Sequence, residues 1–462
     1  MPWAALRLPT SPTSPASTQP EAPAAARMPA VAAAAAAAAA LHAVATWALQ
    51  FSPRVSLVDE AVLVELGASL RLFGGLAALR ERMRREAQEL GCAAPAWAPT
   101  ALAALALART GIEDGLAQPL PALLADLPLP VLSAAQPHLA RLAQLGCRTL
   151  GDLQRLPRAG LARRFGAPLL AALDQAGGLA PQAQAWFSPP ETFAARLALP
   201  APVEQAAALQ FGARRLLLPM CGWLAARQSG TTAFALRWTY DAPRARAAGA
   251  DDALQVRSAR PTREPDVLSR LLAEHLGRLR LAAPVTALEL QLLDCEPLAP
   301  TSATLWPAAA ADDGRTLAQV LDRLAARLGP QCVLRPLLVD DHRPECAQRW
   351  LPAAQWETQP PPARRGPLPP PPQPSFLRAP PLPLAVLDGQ PQHHGQLERL
   401  AGPHRIEGGW WQPSGAGGTA RPQPVERDYW LARSAQAGLL WVYHQRLAGD
   451  AAAGWFLHGS YA

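Results

Sequence analysis

A proline-rich tract from Gln359 to Pro383 constrains this chain more than any other feature. Proline fixes φ and removes a backbone donor, so the tract reads as an extended, semi-rigid spacer with no core of its own. It divides a long N-terminal body from a small module at residues 400–462. The 462 residues leave room for about three domains. Half of them are apolar, enough for buried cores. The chain has no Lys and no Asn, so all 43 basic residues are Arg, and the net charge is +7. With abundant Ala, this points to a GC-rich genome, and part of the Ala content is codon bias.

Several classes are excluded at once. Six Cys in a chain this long make no disulfide framework. The prolines follow no Gly-X-Y period, and a chain this apolar is not disordered throughout. Pro29–Phe51, with an unbroken Ala run at Ala32–Ala40, is long enough to cross a bilayer. Alanine drives insertion weakly, and His42, Thr46 and Gln50 interrupt the stretch, so it reads as a soluble helix. Residues 1–28 have a Pro/Ser/Thr stretch where a secretory apolar core would sit, which argues against export. The Cys residues (92, 147, 221, 295, 332 and 346) show no C-x-x-C pair and no His at metal spacing. They read as reduced core residues of a cytoplasmic protein with no metal and no cofactor.

The pattern divides into six segments. Residues 1–28 hold an apolar strand, Trp3–Leu8, and a linker. Residues 29–110 hold the Ala-rich helix, a strand over Val55–Leu66, a strand-like turn at Leu70–Phe73 and a helix over Leu76–Leu90. Residues 111–189 are short helices separated by Pro and Gly. Residues 190–345 alternate: strand Phe193–Leu199, helix Val203–Ala226 kinked or ended by Pro219, strand Thr231–Tyr240, helix Asp266–Leu281, strand Ala287–Leu293, helix Leu317–Leu328 and strand Cys332–Val339. This predicts a β-α-β-β-α-β order with helices on one face, an α+β multidomain chain. Residues 346–399 are the linker. Residues 400–462 are a β-rich module dense in aromatics, with a hairpin of Arg427–Ala432 and Leu439–Tyr443 turning near Ala437-Gly438.

Residues 141–175 carry six Arg (141, 148, 155, 158, 163 and 164) against Asp152 and Asp174. Short helix–turn–helix units of this kind aim Arg side chains and backbone N–H groups at phosphates. Arg148, Arg155, Arg158, Arg163 and Arg164 are therefore the candidate DNA contacts, beside the plain reading of a solvated basic face.

The stretch Leu139–Gly166, "LARLAQLGCRTLGDLQRLPRAGLARRFG", resembles the thumb of Y-family, DinB/UmuC-type, translesion DNA polymerases. "FSPRVSLVDEAVLVELGASLRLFGG" (Phe51–Gly75) resembles the palm segment of the ImuB-type branch, whose polymerase site is degenerate. "FAARLALPAPVEQAAALQFGARRLL" (Phe193–Leu217) and "VTALELQLLDCEPLAP" (Val285–Pro300) resemble its little finger. "VDDHRPECAQRW" (Val339–Trp350) resembles the sequence just beyond. "GPHRIEGGWW" (Gly402–Trp411), "RDYWLAR" (Arg427–Arg433) and "GWFLHGSYA" (Gly454–Ala462) resemble the C-terminal module of ImuB-type proteins. The resemblance implies a truncated palm, a helical thumb, a little finger and a small C-terminal module.

Two-metal nucleotidyl transfer needs clustered carboxylates. Active Y-family enzymes supply one Asp at the end of the first strand and a later Asp-Glu pair. Here the first strand, "WAALRLP", has no carboxylate. The pair corresponds to Asp59-Glu60 in "SLVDEAVL", which resembles the active family's "SLDEAYL" with Val58 in excess. An extra residue flips a strand's side chains unless a bulge absorbs it. Asp59 and Glu60 are thus either a solvent-facing strand end or a vestigial metal site. The interval from Leu8 to Phe51 is too short for the family's nucleotide-contacting fingers, through deletion or a misassigned start. The glycine-bearing phosphate hairpin of active thumbs is replaced by Pro130-Val131-Leu132-Ser133.

The resemblance implies a non-catalytic adaptor in DNA-damage-induced mutagenesis. Its partners would be DNA, the sliding clamp, an ImuA-type RecA-like protein and an error-prone DnaE-type polymerase, with no membrane partner. "TSATLWP" (Thr301–Pro307) suggests a clamp peptide anchored by Leu305 and Trp306, although Ser302 stands where Gln is usual; the plain alternative is a loop Trp packed on its own domain. Trp410, Trp411, Tyr429, Trp430, Trp455 and Phe456 are candidates for partner contact, beside a role as the module's own core or as a base-stacking surface. The rival readings are an active polymerase using Asp59 and Glu60, and a non-functional truncated homologue.

Overall fold

The computed structural model describes residues 2–9, 24–241, 253–298, 310–339, 341–353, 373–409, 425–446 and 454–461. The chain forms two compact units, Met1–Arg327 and Leu328–Ala462.

The first unit begins with β1 (Trp3–Arg7), α1 (Ala24–Ala48), β2 (Val55–Val58), β3 (Ala61–Glu65), α2 (Leu76–Glu89), β4 (Ala96–Ala98) and α3 (Ala101–Thr110). The four strands form an antiparallel sheet in the order β2-β3-β1-β4. Strand side chains alternate between faces, and here both faces are apolar because both are covered. Ala4, Leu6, Val62 and Val64 lie in one core with Trp47 of α1 and with Leu79 and Met83 of α2. Ala5, Ala61, Leu63, Ala96 and Ala98 lie in the other with the Ala/Leu sequence of α3. Small residues on that face let α3 lie close to the sheet. Buried Glu86 is satisfied by Trp47 Nε1 at 2.8 Å, Gln50 Nε2 at 3.0 Å and Arg82 Nε at 2.8 Å.

Five short helices follow: α4 (Leu120–Ala125), α5 (Leu139–Gln144), α6 (Leu150–Arg155), α7 (Arg158–Phe165) and α8 (Ala167–Ala176). Thr149 and Asp152 form a capping box that starts α6. Leu142, Leu150, Leu153, Leu161, Phe165 and Leu169 turn inward and share a core with α3.

Next come β5 (Ala194–Val203), α9 (Leu209–Ala226), β6 (Ser229–Tyr240), β7 (Ala253–Thr262), α10 (Pro265–Leu276) and β8 (Val285–Pro297). This is the expected β-α-β-β-α-β order, in an antiparallel sheet β5-β8-β6-β7. α9 and α10 bury Leu209, Leu217, Leu268 and Leu272 against Phe234, Leu236, Leu288 and Leu290. α9 also lies against α1. A Cβ on Gly222 would stand 2.2 Å from the Thr46 carbonyl oxygen, so only glycine permits that approach. Helix α11 (Ala310–Leu328) reaches the boundary, only its last residue falling in the second unit.

The second unit has a hairpin, β9 (Leu334–Leu338) with β10 (Gln348–Pro352). It then forms a six-stranded antiparallel sheet from β11 (Phe376–Leu387), β12 (Gln390–Gln392), β13 (Glu398–Gly408), β14 (Val425–Ser434), β15 (Gly438–Gln445) and β16 (Trp455–Ser460), ordered β12-β11-β16-β15-β14-β13. The hairpin expected near Ala437-Gly438 is β14–β15, closing at Ser434 opposite Gly438.

Several expectations are corrected. Val55–Leu66 is not one strand but the β2–β3 hairpin, because Asp59 takes a left-handed φ of +51° and turns the chain. Leu70–Phe73 is a 3-10 turn. Pro219 does not end α9, which runs through it to Ala226. It is buried between fully buried Leu218 and Met220, and their packing outweighs one lost backbone bond. The spacer assignment fails over Phe376–Leu387: β11 pairs with β16 despite its prolines, through a register irregularity between Leu377 and Leu382. Cys295 and Cys332 are exposed rather than core. No described helix is long and apolar enough to cross a membrane.

Candidate functional site

Asp59 and Glu60 form the two-residue turn between β2 and β3, with Val58 opposite Ala61. Aspartate tolerates the left-handed region better than most residues, which suits Asp59 to its φ of +51°. The turn leaves both carboxylates on the same side as the C-terminus of α3. There Arg109, the one charged residue of the Ala/Leu-rich helix α3, reaches them.

All five N–H donors of Arg109 find acceptors. Nε and Nη2 each lie 2.9 Å from Glu60 carboxylate oxygens, a bidentate pair. Nη2 also donates to Asp59 Oδ2 at 2.9 Å. Nη1 donates to the Val131 carbonyl at 2.7 Å and to Ser133 Oγ at 2.8 Å. The Ser133 hydroxyl in turn donates to Asp59 Oδ2. Arg7, the last residue of β1, places Nε 3.2 Å from Glu60 Oε1 and donates through Nη1 to the Ala108 carbonyl. The Glu60 carboxyl is held down to about 2, first by the Arg109 hydrogen bonds and then by the Arg109 and Arg7 charges, against partial desolvation.

The site is therefore a charge-balanced clasp of two carboxylates and two guanidinium groups. It joins the β2–β3 turn, α3, β1 and the Val131–Ser133 turn. Among the described residues no group of three or more His, Cys, Asp or Glu could hold a metal ion. Sequence reading found Asp59 and Glu60 but gave no role to Arg109, and its signal was available: a single Arg ending the run "ALAALALART".

The five arginines of the basic segment fall into two sets. Arg155 Nη2 donates to Asp152 at 2.6 Å, and Arg158 pairs with both oxygens of Asp174 at 2.8 and 2.6 Å. Arg148, Arg163 and Arg164, with neighbouring Arg141, are exposed and make no side-chain hydrogen bond or ion pair among the described residues. The basic face is real, but its unpaired positive charge is narrower than six arginines suggest. A second polar surface went unread. Arg196 and Arg237, both exposed, lie opposite Glu289 on the β5–β8 sheet.

In the second unit Tyr429 is fully buried. Its ring stacks on Trp441 at 4.1 Å, and its hydroxyl lies 2.8 Å from His458 Nδ1. Burial holds the His458 imidazole down at about 4. Arg427 covers this face, pairing with Glu345 at 2.8 Å and lying over the Tyr443 ring at 4.7 Å. Trp430, Trp455 and Phe456 are half-buried. The Trp430 and Trp455 rings stand 4.8 Å apart with exposed Arg399 5.8 Å from each. Leu305, Trp306, Trp410 and Trp411 lie outside the described residues.

The chain is similar to Protein ImuB of Caulobacter vibrioides, from strain NA1000 / CB15N and from strain ATCC 19089 / CIP 103742 / CB 15. In each case identity is 31% over 431 residues, covering 91% of this chain and 92% of the relative. The chain belongs to the ImuB family. No family model matches it. Solved structures similar to it include a DinB family error-prone DNA polymerase from Sulfolobus solfataricus, at 12% identity and TM-score 0.30, covering 63% of this chain and 98% of that one. A Y-family DNA polymerase chimera of Dbh and Dpo4 is similar at 13% identity and TM-score 0.25, covering 54% and 73%. For this member of the ImuB family, the Asp59–Glu60–Arg109 clasp and the Arg163–Arg164 pair of α7, without a partner among the described residues, are charged features to explain.

Proposed function

We propose that this ImuB-family chain is a non-catalytic accessory protein in DNA-damage-induced mutagenesis and translesion synthesis. In this reading residues 29–110 correspond to a reduced palm, residues 111–189 to a thumb and residues 190–345 to a little finger. It binds DNA and the sliding clamp and recruits an error-prone DnaE-type polymerase, with an ImuA-type protein as a further partner, in the cytoplasm.

The observation that carries the reading is the engagement of Asp59 and Glu60 by Arg109. A two-metal site needs carboxylate lone pairs free to converge on ions about 3.5–4 Å apart. Arg109 takes a hydrogen-bonding position on both carboxylates, and Arg7 brings a second positive charge at the end of β1. An Arg at that strand end adds cationic charge where two-metal chemistry calls for an anionic ligand. The exposed Arg163 and Arg164 supply phosphate contacts. The half-buried Trp430, Trp455 and Phe456 offer partner-facing aromatic surface, while Tyr429 is committed to the core.

Primer extension with the purified chain, Mg²⁺ and all four dNTPs tests the reading. The expected result is no incorporation by the chain alone. Extension abolished by Asp59→Ala would replace the adaptor reading with an active polymerase. Retained clamp pull-down after Leu305→Ala/Trp306→Ala would move the clamp site elsewhere.

A further inference from the structure

Over its described side chains, helix α11 turns ionic residues toward α10 and β7. Toward its own domain it offers Ala326 to the core and a set of ionic contacts. Arg327 Nε lies 2.7 Å and Arg323 Nε 3.1 Å from Glu274 of α10. Asp322 accepts from Ser258 Oγ at 3.1 Å and from the Ala259 N–H at 3.0 Å, at the edge strand β7. Of its large aliphatic side chains Leu321 is half-buried and four others are exposed. Leu317, Val320, Leu324 and Leu328 are 52, 45, 41 and 59% exposed. Their 3-4-4 spacing places them on one face over three turns. A soluble helix ordinarily buries such a stripe, and one left in water marks a docking face. Beside it, between α10 and α11, lies a groove of about 230 Å³ whose apolar lining is Val267, Leu271 and Val320. Such a groove suits an inserted apolar anchor.

The rim decides the occupant. Arg270 and Arg323 border the groove, and Arg327 lies one turn further along α11. Arg270 is exposed, its Nε bonded only to the backbone carbonyl of Asp266. Arg323 and Arg327 share the Glu274 carboxylate and Asp322 also lines the groove, so Arg270, Arg323 and Arg327 against two carboxylates leave the rim net positive around an apolar seam. A second copy packed about a two-fold axis would set the same arginines against each other, a like-charge juxtaposition that costs association.

We propose that the stripe of α11 and the α10–α11 groove dock an amphipathic helix of a partner protein whose apolar seam is flanked by acidic residues. This surface is built from other residues than the basic face of α7 and the aromatic module. It recognises its partner by helix-in-groove packing and steers it by charge.

Fluorescence anisotropy with the full chain tests this, using a synthetic amphipathic helical peptide with a leucine stripe flanked by glutamates. A second peptide carries lysines in their place. The glutamate peptide should bind about tenfold more tightly than the lysine peptide at low salt, and the preference should shrink as salt is raised. Val320→Asp/Leu324→Asp should abolish binding. Both positions are exposed, so the thermal melt should be unchanged. Arg270→Glu, which leaves the seam intact, should reverse or erase the preference between the peptides. Equal binding of both peptides, no binding of either, or binding that survives the double substitution would overturn the proposal. Concentration-dependent dimerisation lost in the same double variant would overturn it in favour of a second copy as occupant.

Discussion

Arg109 and the Arg163–Arg164 pair lie in the same unit, and the same side chain is put to opposite uses in them. Arg109 is largely buried and gives every donor to groups of its own chain. Arg163 and Arg164 sit in the last turn of α7, exposed, with no partner among the described residues. A chain without lysine must use arginine both for internal ion pairs and for free positive charge. Counting arginines cannot separate the two uses, but the geometry of their partners can. Arg158 makes the point within the basic segment: its charge is matched by Asp174, whereas that of Arg163 is not.

The comparison can be broken first at the clasp. Arg109→Ala should remove the bidentate partner of Glu60, orphan the Val131 carbonyl and leave Glu60 with Arg7 and Asp59 with Ser133. We expect a loss of about 2 kcal/mol, discounted because both acids are over a third exposed, read as a lower melting temperature. An unchanged melt would show that the clasp is incidental. The second test is on DNA. Arg163→Ala/Arg164→Ala should weaken binding about tenfold at low salt and reduce the salt slope by roughly two, in an electrophoretic or anisotropy titration. Arg158→Ala should cost less affinity than either single change in that pair, because its guanidinium is already neutralised. An equal or larger effect would dissolve the distinction between paired and free arginines.

The smallest expected effect is on pH dependence. Glu60 has a folded-state value near 2, below its ordinary 4.5. A depressed carboxyl stabilises the fold above its unfolded value and loses that contribution as pH falls toward the folded one. Stability should therefore decline between about pH 4.5 and 2 by on the order of 1 kcal/mol from this group, allowing for solvent screening. Glu60→Gln should flatten that part of the profile; a profile unchanged by the substitution would remove Glu60 from the clasp's energetics.

How much of this was legible in the sequence varies with the range of the interaction. Most of the β5–β8 sheet and its helices was readable because period-2 and period-3.6 patterns are local, whereas β7 was expected in the order but not located. The β2–β3 turn was misread because "VSLVDEAVLVEL" is apolar on both sides of Asp59-Glu60, and a positive φ at an Asp carries weak sequence signal. β11 was hidden by its prolines, which the sheet tolerates through irregular pairing. The clasp was half legible. The carboxylate pair stood out by resemblance, whereas Arg109 lies 49 residues from Glu60 and 24 from Ser133. No local rule brings those three together. Only the packing of α3 across the sheet does.

The most direct test of the central claim is a Mn²⁺ titration of the full chain, followed by electron paramagnetic resonance, beside the Asp59→Ala variant. Neutralised carboxylates predict no saturable site at which the two proteins differ. Two ions bound per chain in the parent, and lost with Asp59→Ala, would contradict the account.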